Sequence, residues 1–247
     1  MAIAQMPDEA EPPTQHEQVY DNGDRYRGTM LDGMRHGRGR YEWAHGHVYE
    51  GGYEYDLPNG EGVYIWPSGA QYEGSFSQGV RHGQGRFTWG TGNFYEGEYQ
   101  LGERTGVGRR VRYGETVYEG HYLAGVRHGE GSQVEASGDR FTGWYEDGVR
   151  HGLGIRVKND GGRVLEHWVE GDLRRAWPLA HNPRCALTVD GAAWMFLGSD
   201  CIDGKAHGSG VAVRLDGTLL QQEARAVLGR LLAGETRTLF TVGSTAR

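Results

Sequence analysis

Histidines recur at one position of a repeating unit, and they are the first residues that could do chemistry, because imidazole is a common metal ligand. Four of them are spaced by 23 residues or a multiple of 23, and a fifth stands in a later copy: His36, His82, His128, His151 and His207. If each unit contributes two neighbouring strands, equivalent side chains lie about 10 Å apart, whereas zinc needs all its ligands within about 2 Å. We therefore predict loop histidines that bond to turn backbone, and no metal site.

A column of carboxylates has the same spacing and raises the question of acid–base catalysis. Its members are Glu50, Glu73, Glu96 and Glu119. A pair of catalytic carboxylates needs a separation of about 5–9 Å, so the 23-residue step argues against one and predicts a solvated sheet face instead. The chain offers no supported Ser/His/Asp or Cys/His set and no strand–loop–helix phosphate cradle. We predict a non-enzymatic protein with no catalytic residue and no cofactor.

Charge and cysteine content restrict the partners and the compartment. The formal net charge of −7 argues against nucleic acid, which requires a basic surface. The two cysteines, Cys185 and Cys201, form no CxxC pair, which is typical of a reducing interior. The first residues, MAIAQMPDEAEPP, lack the features of a secretory signal, and no apolar run approaches the ~20 residues of a membrane-spanning helix. We expect a cytoplasmic protein.

A 23-residue repeat organises the chain. One column holds an aromatic residue at Tyr26, Tyr49, Tyr72, Tyr95, Tyr118 and Phe141, and glycines occupy several other columns. Aromatic residues and glycines alternate with a period of two, as in Tyr72, Gly74 and Phe76, which is strand spacing. Each repeat is therefore predicted to be a β-hairpin, and the array an elongated, single-layer, antiparallel all-β meander. Glycine beside each tyrosine would let the ring lie flat against the sheet.

Two kinds of connection are predicted. Within a repeat, the stretch Ser77–Gly83, SQGVRHG, suits a loop of four to six residues. Between repeats, pairs such as Ser68-Gly69 and Thr91-Gly92 suit a tight turn.

The predicted domain organisation follows from where the repeat holds. Residues 1–20 are acidic and predict a disordered tail, and 21–175 hold six clear repeats and a degenerate seventh. Residues 176–192, with two prolines, predict a connector, and 193–217 predict one further hairpin. Residues 218–234 combine a capping-box pattern with apolar residues at helical spacing, which predicts a capping helix. Residues 235–247 predict a strand or tail.

The unit YEGxYxxGxxHGxGxxxxxxG resembles the MORN (membrane occupation and recognition nexus) repeat. The resemblance runs from Asp24 to Gly161, with degenerate copies near 163–171 and 194–217. It implies a β-hairpin array that serves as a scaffold at a cytoskeletal, ciliary or membrane-adjacent structure, and in some members phospholipid binding or self-association as a homodimer. Asp56, Asn59 and Thr105 depart from the motif.

Three functional hypotheses remain open. The first is a groove that takes a helix or peptide of a protein partner, although the same rings could instead pack repeat on repeat; its residues are Tyr53, Tyr64, Trp66, Phe76, Phe87, Trp89 and Tyr99. The second is peripheral binding of anionic phospholipid through an arginine cluster formed by Arg104, Arg109, Arg110, Arg112 and Arg127. The third is a targeting module that serves an enzyme in trans.

Overall fold

Strands account for all regular structure in the described part of this computed structural model, which comprises residues 14–113, 116–178, 186–189, 192–202, 205–214, 219–227 and 230–238. The chain divides into two compact units, Met1–Arg110 and Val111–Arg247. Among the described residues there is no helix, so the all-β prediction is confirmed.

The first fifteen strands form one antiparallel sheet in which each strand pairs with the next in sequence. They are β1 Thr14–Val19, β2 Arg25–Leu31, β3 Met34–Glu42, β4 Val48–Glu54, β5 Leu57–Ile65, β6 Gln71–Ser77, β7 Val80–Thr88, β8 Phe94–Gln100, β9 Glu103–Arg112, β10 Thr116–Leu123, β11 Val126–Val134, β12 Arg140–Glu146, β13 Val149–Val157, β14 Arg163–Val169 and β15 Asp172–Pro178. The meander topology follows from hairpins that are joined end to end.

A second sheet, of five strands, belongs to the second unit. It comprises β16 Ala186–Val189, β17 Ala192–Ile202, β18 Lys205–Arg214, β19 Leu219–Val227 and β20 Arg230–Thr238. Its small core includes Leu187, Trp194 and Phe196. The hairpin predicted for residues 193–217 is observed as the antiparallel pair β17–β18.

A buried aromatic ring, tyrosine in the first five repeats and Phe141 in the sixth, lies across two glycines and is the structural unit of each repeat. Tyr49 is fully buried, and its hydroxyl donates to the carbonyl of Gly52 at 2.9 Å. A Cβ on Gly62, which belongs to the neighbouring strand, would lie 2.5 Å from the Tyr49 hydroxyl oxygen. The glycine columns therefore leave the space that each ring occupies, as the sequence predicts.

The connections have the opposite lengths to those predicted. The turn within a repeat has two residues, such as Gln78 and Gly79, both with positive φ (49° and 82°), which suits the twist of a tight hairpin. The loop between repeats has five residues, 66–70, and is closed by main-chain bonds between Trp66 and Ala70 at 2.9 Å and between Gly69 and Trp66 at 2.9 Å.

A bulge explains this error. In β6 and β7, Gly74 faces Gly85 and Phe76 faces Arg81, so Ser75 alone opposes three residues of β7. Gly83 takes a φ of +63° inside that bulge. The His-Gly stretch is therefore part of a bulged strand and not of a loop.

Two predictions about the segments that flank the repeat array need correction. Within the tail predicted to be disordered, Thr14–Val19 form β1, because an edge strand can pair through its main chain without apolar side chains. Within the predicted connector, residues 176–178 belong to β15 and 186–189 to β16. Residues 1–13, Cys185 and 239–247, together with the side chains of Cys201 and His207, lie outside the described part.

The capping helix predicted for residues 218–234 is wrong, because β19 and the start of β20 occupy this stretch. β18 offers a strand edge to which β19 pairs, with Val213 opposite Leu220. Pairing of this kind overrides local helix propensity, and the short apolar runs fit either structure.

Candidate partner-binding surface

Six aromatic side chains of the first unit form a continuous row, here called the aromatic ladder. Successive ring centroids are separated by 4.6, 5.6, 4.5, 5.1 and 4.8 Å. The ladder consists of Tyr41, Trp43, Tyr64, Trp66, Phe87 and Trp89. All except Tyr41 are only partly buried, so the row offers an apolar surface on one face of the unit.

Strand periodicity positions the ladder. In each of β3, β5 and β7 one ring lies near the strand's end and the next lies two residues on, which places both on the same face. The second ring then reaches the first ring of the next repeat, as Trp66 does with Phe87 at 5.1 Å. The Tyr64 hydroxyl also forms a 2.9 Å hydrogen bond with Nδ1 of His47. These contacts hold the rings in a fixed row.

The groove predicted from sequence separates into two layers. Tyr64, Trp66, Phe87 and Trp89 belong to the ladder. Tyr53, Phe76 and Tyr99 are instead buried, with exposed fractions of 4%, 7% and 3%. For these three, the alternative of packing repeat on repeat is observed.

Edge-to-face stacking builds this inner layer. Phe76 stacks against Tyr49 and against Tyr72, with centroid distances of 5.1 Å in each case. Burial raises the pKa of Tyr49 to about 12, so its hydroxyl stays protonated at neutral pH. Arg81 links this inner layer to the ladder, because its guanidinium lies 5.2 Å from the ring centre of Tyr99 and 5.8 Å from that of Phe87. Contact with a partner is left to the outer rings.

Tyr41 and Trp43 belong to the ladder but were not among the residues predicted to line the groove. Both occupy the columns of Tyr64 and Trp66 one repeat earlier, so the 23-residue step alone would have found them. Tyr41 donates to the carboxylate of Asp24 at 2.7 Å, and that hydrogen bond is the main cause of a lowered Asp24 pKa.

A column of arginines links successive repeats, a role that the sequence prediction did not give to them. Arg81 lies 5.6 Å from the ring centre of Tyr72 and 5.2 Å from that of Tyr99, and its Nη2 donates to the carbonyl of Gly102 at 2.7 Å. Arg35 occupies the same column and donates to the Asp56 carbonyl at 2.9 Å. The 23-residue spacing of Arg81, Arg104, Arg127 and Arg150 was the available signal.

Asp56 stands where other repeats have a turn glycine, and it strengthens this link. Its carboxylate accepts from Nε of Arg35 at 2.9 Å and from the Arg35 backbone N–H at 2.9 Å. Burial raises the pKa of Asp56, but these bonds from Arg35 outweigh it and leave that pKa below its usual value.

Within the first unit, the arginines predicted to bind lipid do not all face the same side of the sheet. Arg109 lies over Phe94 at 5.7 Å and Arg110 over Trp89 at 5.4 Å, so these consecutive strand residues face opposite sides of the sheet. Arg104 lies over Tyr95 at 5.3 Å. Arg112 and Arg127 belong to the second unit, where Arg127 stacks on Tyr118 and Tyr145.

A polar network replaces the ladder in the second unit. Glu135, three repeats after Trp66, accepts from Arg150 at 2.5 Å and pairs with Arg156 at 3.0 Å. Arg156 also donates to Glu166 at 2.6 Å, and the Trp168 indole donates to the same carboxylate at 3.0 Å. The side chain of Arg156 is 13% exposed and that of Glu166 is 5% exposed, so this ion pair is largely shielded from water.

Burial opposes the charged forms of this network, but ion pairing prevails. Burial raises the pKa of Glu135, whereas the hydrogen bonds from Arg150 and Arg156 lower it by more, and the net pKa lies below its ordinary value. Burial likewise lowers the pKa of Arg156, and its bonds to Glu166 and Glu135 leave the net pKa raised. Both groups are charged at neutral pH.

The acidic column predicted to be a solvated face pairs with basic neighbours. Arg40 contacts Glu50 at 2.8 Å and Arg86 contacts Glu96 at 3.1 Å, with all four side chains at least 44% exposed. Across the described side chains, no group of three His, Cys, Asp or Glu residues is placed to hold a metal ion.

The model of the MORN repeat family matches seven segments of the chain: 26–48, 49–71, 72–94, 95–113, 118–140, 141–163 and 202–218. These segments cover more than half of the sequence. The chain belongs to the MORN repeat family. It is therefore a repeat protein of a family that mediates interactions with proteins or membranes. The described part contains no helix with the length and apolar character needed to cross a bilayer.

No curated protein sequence matches this MORN chain. Among solved structures, it is similar to the SAS-4 (dCPAP) TCP domain of Drosophila melanogaster in complex with a proline-rich motif of Ana2 (dSTIL), at 10% identity over 72% of this chain and 97% of that chain, with a TM-score of 0.33. A streptogramin B lyase matches at 13% identity over 97% of this chain and 72% of that chain, with a TM-score of 0.15. Neither TM-score indicates a shared fold.

Proposed function

We propose that this MORN protein is a non-enzymatic scaffold whose aromatic ladder binds a helix or peptide of a protein partner. The observation that carries the proposal is the unbroken row of partly exposed rings in the first unit. Tyr and Trp are the residues most enriched in binding hot spots. The ring contacts along the row hold it in place, so little conformational entropy is lost when a partner binds.

The proposed location is the cytoplasm, at a cytoskeletal or ciliary structure. Membership of the MORN family supports this location. The placement of the arginines favours a protein partner over anionic lipid. Arg109 and Arg110 face opposite sides of the sheet, and each lies over an aromatic ring. A flat lipid surface could therefore not engage the two together.

The test is a comparison of tagged full-length variants expressed in cells. Replacing Trp66 and Trp89 by Ala removes two rings of the ladder, and we expect protein partners that co-purify with the wild type to be lost. Trp144→Ala is the matched control, because Trp144 lies in the second unit and is 36% exposed. Partners retained by the Trp66/Trp89 variant, or lost equally in the control, would refute the ladder as the binding surface.

A flotation assay with anionic liposomes tests the alternative hypothesis of lipid binding. We expect flotation with anionic liposomes to stay at background. Salt-sensitive flotation that is abolished by Arg109→Glu with Arg110→Glu would instead support lipid binding.

A further inference from the structure

A second apolar surface of the first unit lies apart from the aromatic ladder. Four apolar side chains are exposed at the edge where the two-residue turns lie: Tyr55 (57%), Leu57 (47%), Val80 (42%) and Leu101 (79%). Tyr55 and Leu101 are the first residues of their turns, and Leu57 and Val80 are the first residues of β5 and β7. We call these four residues the turn edge.

Topology places the turn edge on a regular spacing. Three successive hairpins, β4–β5, β6–β7 and β8–β9, each contribute at least one of its side chains. The N–H of Gly79 donates to the carbonyl of Pro58 at 2.8 Å, and that of Gly102 donates to the carbonyl of Arg81 at 2.9 Å, so each turn is bonded to the repeat before it. A Cβ on Gly79 would lie 3.7 Å from Cδ2 of Leu57. Leu57 therefore lies beside the turn of the next hairpin, and main-chain bonds hold the three turns in sequence.

This spacing matches one element of protein structure. Two strands at about 4.8 Å each give about 10 Å per repeat. Seven residues of an α-helix rise about 10.5 Å. A helix lying along the turn edge would therefore present a residue to each hairpin at i, i+7 and i+14, and apolar residues at those positions would cover the exposed side chains.

The charged side chains beside the turn edge indicate the charge of the helix that would bind there. The exposed carboxylates of Asp32, Glu54 and Glu103 flank the turns. The column arginines next to them are directed elsewhere, since Arg35 binds Asp56 and Arg81 donates to the Gly102 carbonyl. The carboxylates favour a cationic partner and oppose an anionic lipid surface.

We propose that the turn edge of the first unit is a docking site for a basic amphipathic helix with apolar residues at heptad spacing. This site is independent of the aromatic ladder, so one scaffold molecule can hold two protein segments at once.

The experiment uses the full chain and a defined probe. The probe is a Lys/Ala-rich helical peptide of three heptads with Leu at i, i+7 and i+14. A second peptide of identical composition, with Leu at i, i+5 and i+10, is the control. Binding is followed by methyl NMR of Leu57, Val80 and Leu101. We expect the heptad peptide to shift these methyl signals, and the control peptide to bind at least about tenfold more weakly, which corresponds to about 1.4 kcal/mol.

Variants separate this site from the ladder. Val80→Thr changes an exposed position and should lower the affinity for the heptad peptide about tenfold, while Trp66→Ala with Trp89→Ala should leave that affinity unchanged. Equal binding of the two peptides, unchanged affinity in Val80→Thr, or shifts confined to other methyl groups would overturn the proposal. A response of the same methyl signals to anionic vesicles and not to the peptide would overturn it in favour of a lipid surface.

Discussion

The two units build the same tyrosine-on-glycine repeat but finish its outer layer with opposite chemistry. In the first unit, Trp66 stacks on Tyr64 and Phe87. In the second, the equivalent position is Glu135, which binds Arg150 and Arg156. The same backbone repeat therefore carries either an aromatic or a charged outer layer, and the side chains alone determine whether that layer can bind a partner. An aromatic layer exposes apolar surface that a partner can cover, whereas an ion-pair layer satisfies its own groups.

The largest expected effect comes from breaking the ion-pair layer. Arg156→Met leaves Glu166 without its ion-pair partner and Glu135 with Arg150 alone, and loss of one member of a buried ion pair costs about 3–5 kcal/mol. Arg86→Met is the control, because the Arg86–Glu96 pair is exposed and its loss should cost less than about 1 kcal/mol. Hydrogen exchange of the full chain should show lost protection in β13 and β14 for Arg156→Met only. Equal protection in the two variants would contradict the account.

The next effect tests what the two units share. Gly62→Ala would place a Cβ 2.5 Å from the Tyr49 hydroxyl, and Gly154→Ala would place one against the ring of Phe141. Each should destabilise its own unit by about 1–3 kcal/mol, the usual cost of overpacking. Urea unfolding followed by hydrogen exchange assigns the loss to one unit or the other. An unchanged free energy of unfolding at either glycine would show that the two units do not share this packing of a ring on glycines.

Acid should act on the ion-pair layer through Glu135. Its folded pKa is lowered, so its contribution to stability is complete above the unfolded value of about 4.3 and is lost as the pH falls through the folded value. Intrinsically corrected exchange protection around Glu135 should therefore be constant down to about pH 5 and fall as the pH is lowered further. Glu135→Gln should reduce that pH dependence. A pH dependence equal to that of wild type would assign the effect to other carboxylates.

The smallest effect concerns a single hydroxyl in the shared layer. Tyr49→Phe removes the 2.9 Å hydrogen bond to the Gly52 carbonyl and should cost about 1 kcal/mol, measured as a shift in urea midpoint. The sixth repeat already has Phe141 in this column and still buries the ring. A loss of several kcal/mol would mean that the bond, and not the ring packing, maintains the repeat.

The 23-residue repeat predicts much of the fold, including the β-hairpins and their antiparallel meander. The 23-residue step indicates which strands pair, and the alternation of tyrosine and glycine indicates that the Tyr49 ring lies over glycines. The turn lengths could not be read, because the bulge at Gly83 turns an apparent loop into strand. β19 was missed because its partner edge on β18 is a tertiary feature that local spacing does not report.

The site could be predicted only in part. Tyr53 and Tyr64 are both aromatic residues of the same face, and nothing in their spacing says that one is buried and the other lies in the outer row. The inward stacking of Arg127 was likewise hidden, since a periodic arginine looks the same whether it faces solvent or a tyrosine ring.

The most direct test of the account compares one loop column in the two units. Ser68 and Ser137 are both exposed and lie three repeats apart, Ser68 beside the ladder and Ser137 beside the ion-pair layer. A photo-crosslinking amino acid is placed at each position in turn in the full chain, in cells. The account predicts a protein adduct from position 68 that disappears with Trp89→Ala, and none from position 137. Adducts of equal yield from both positions, or from position 137 alone, would contradict it.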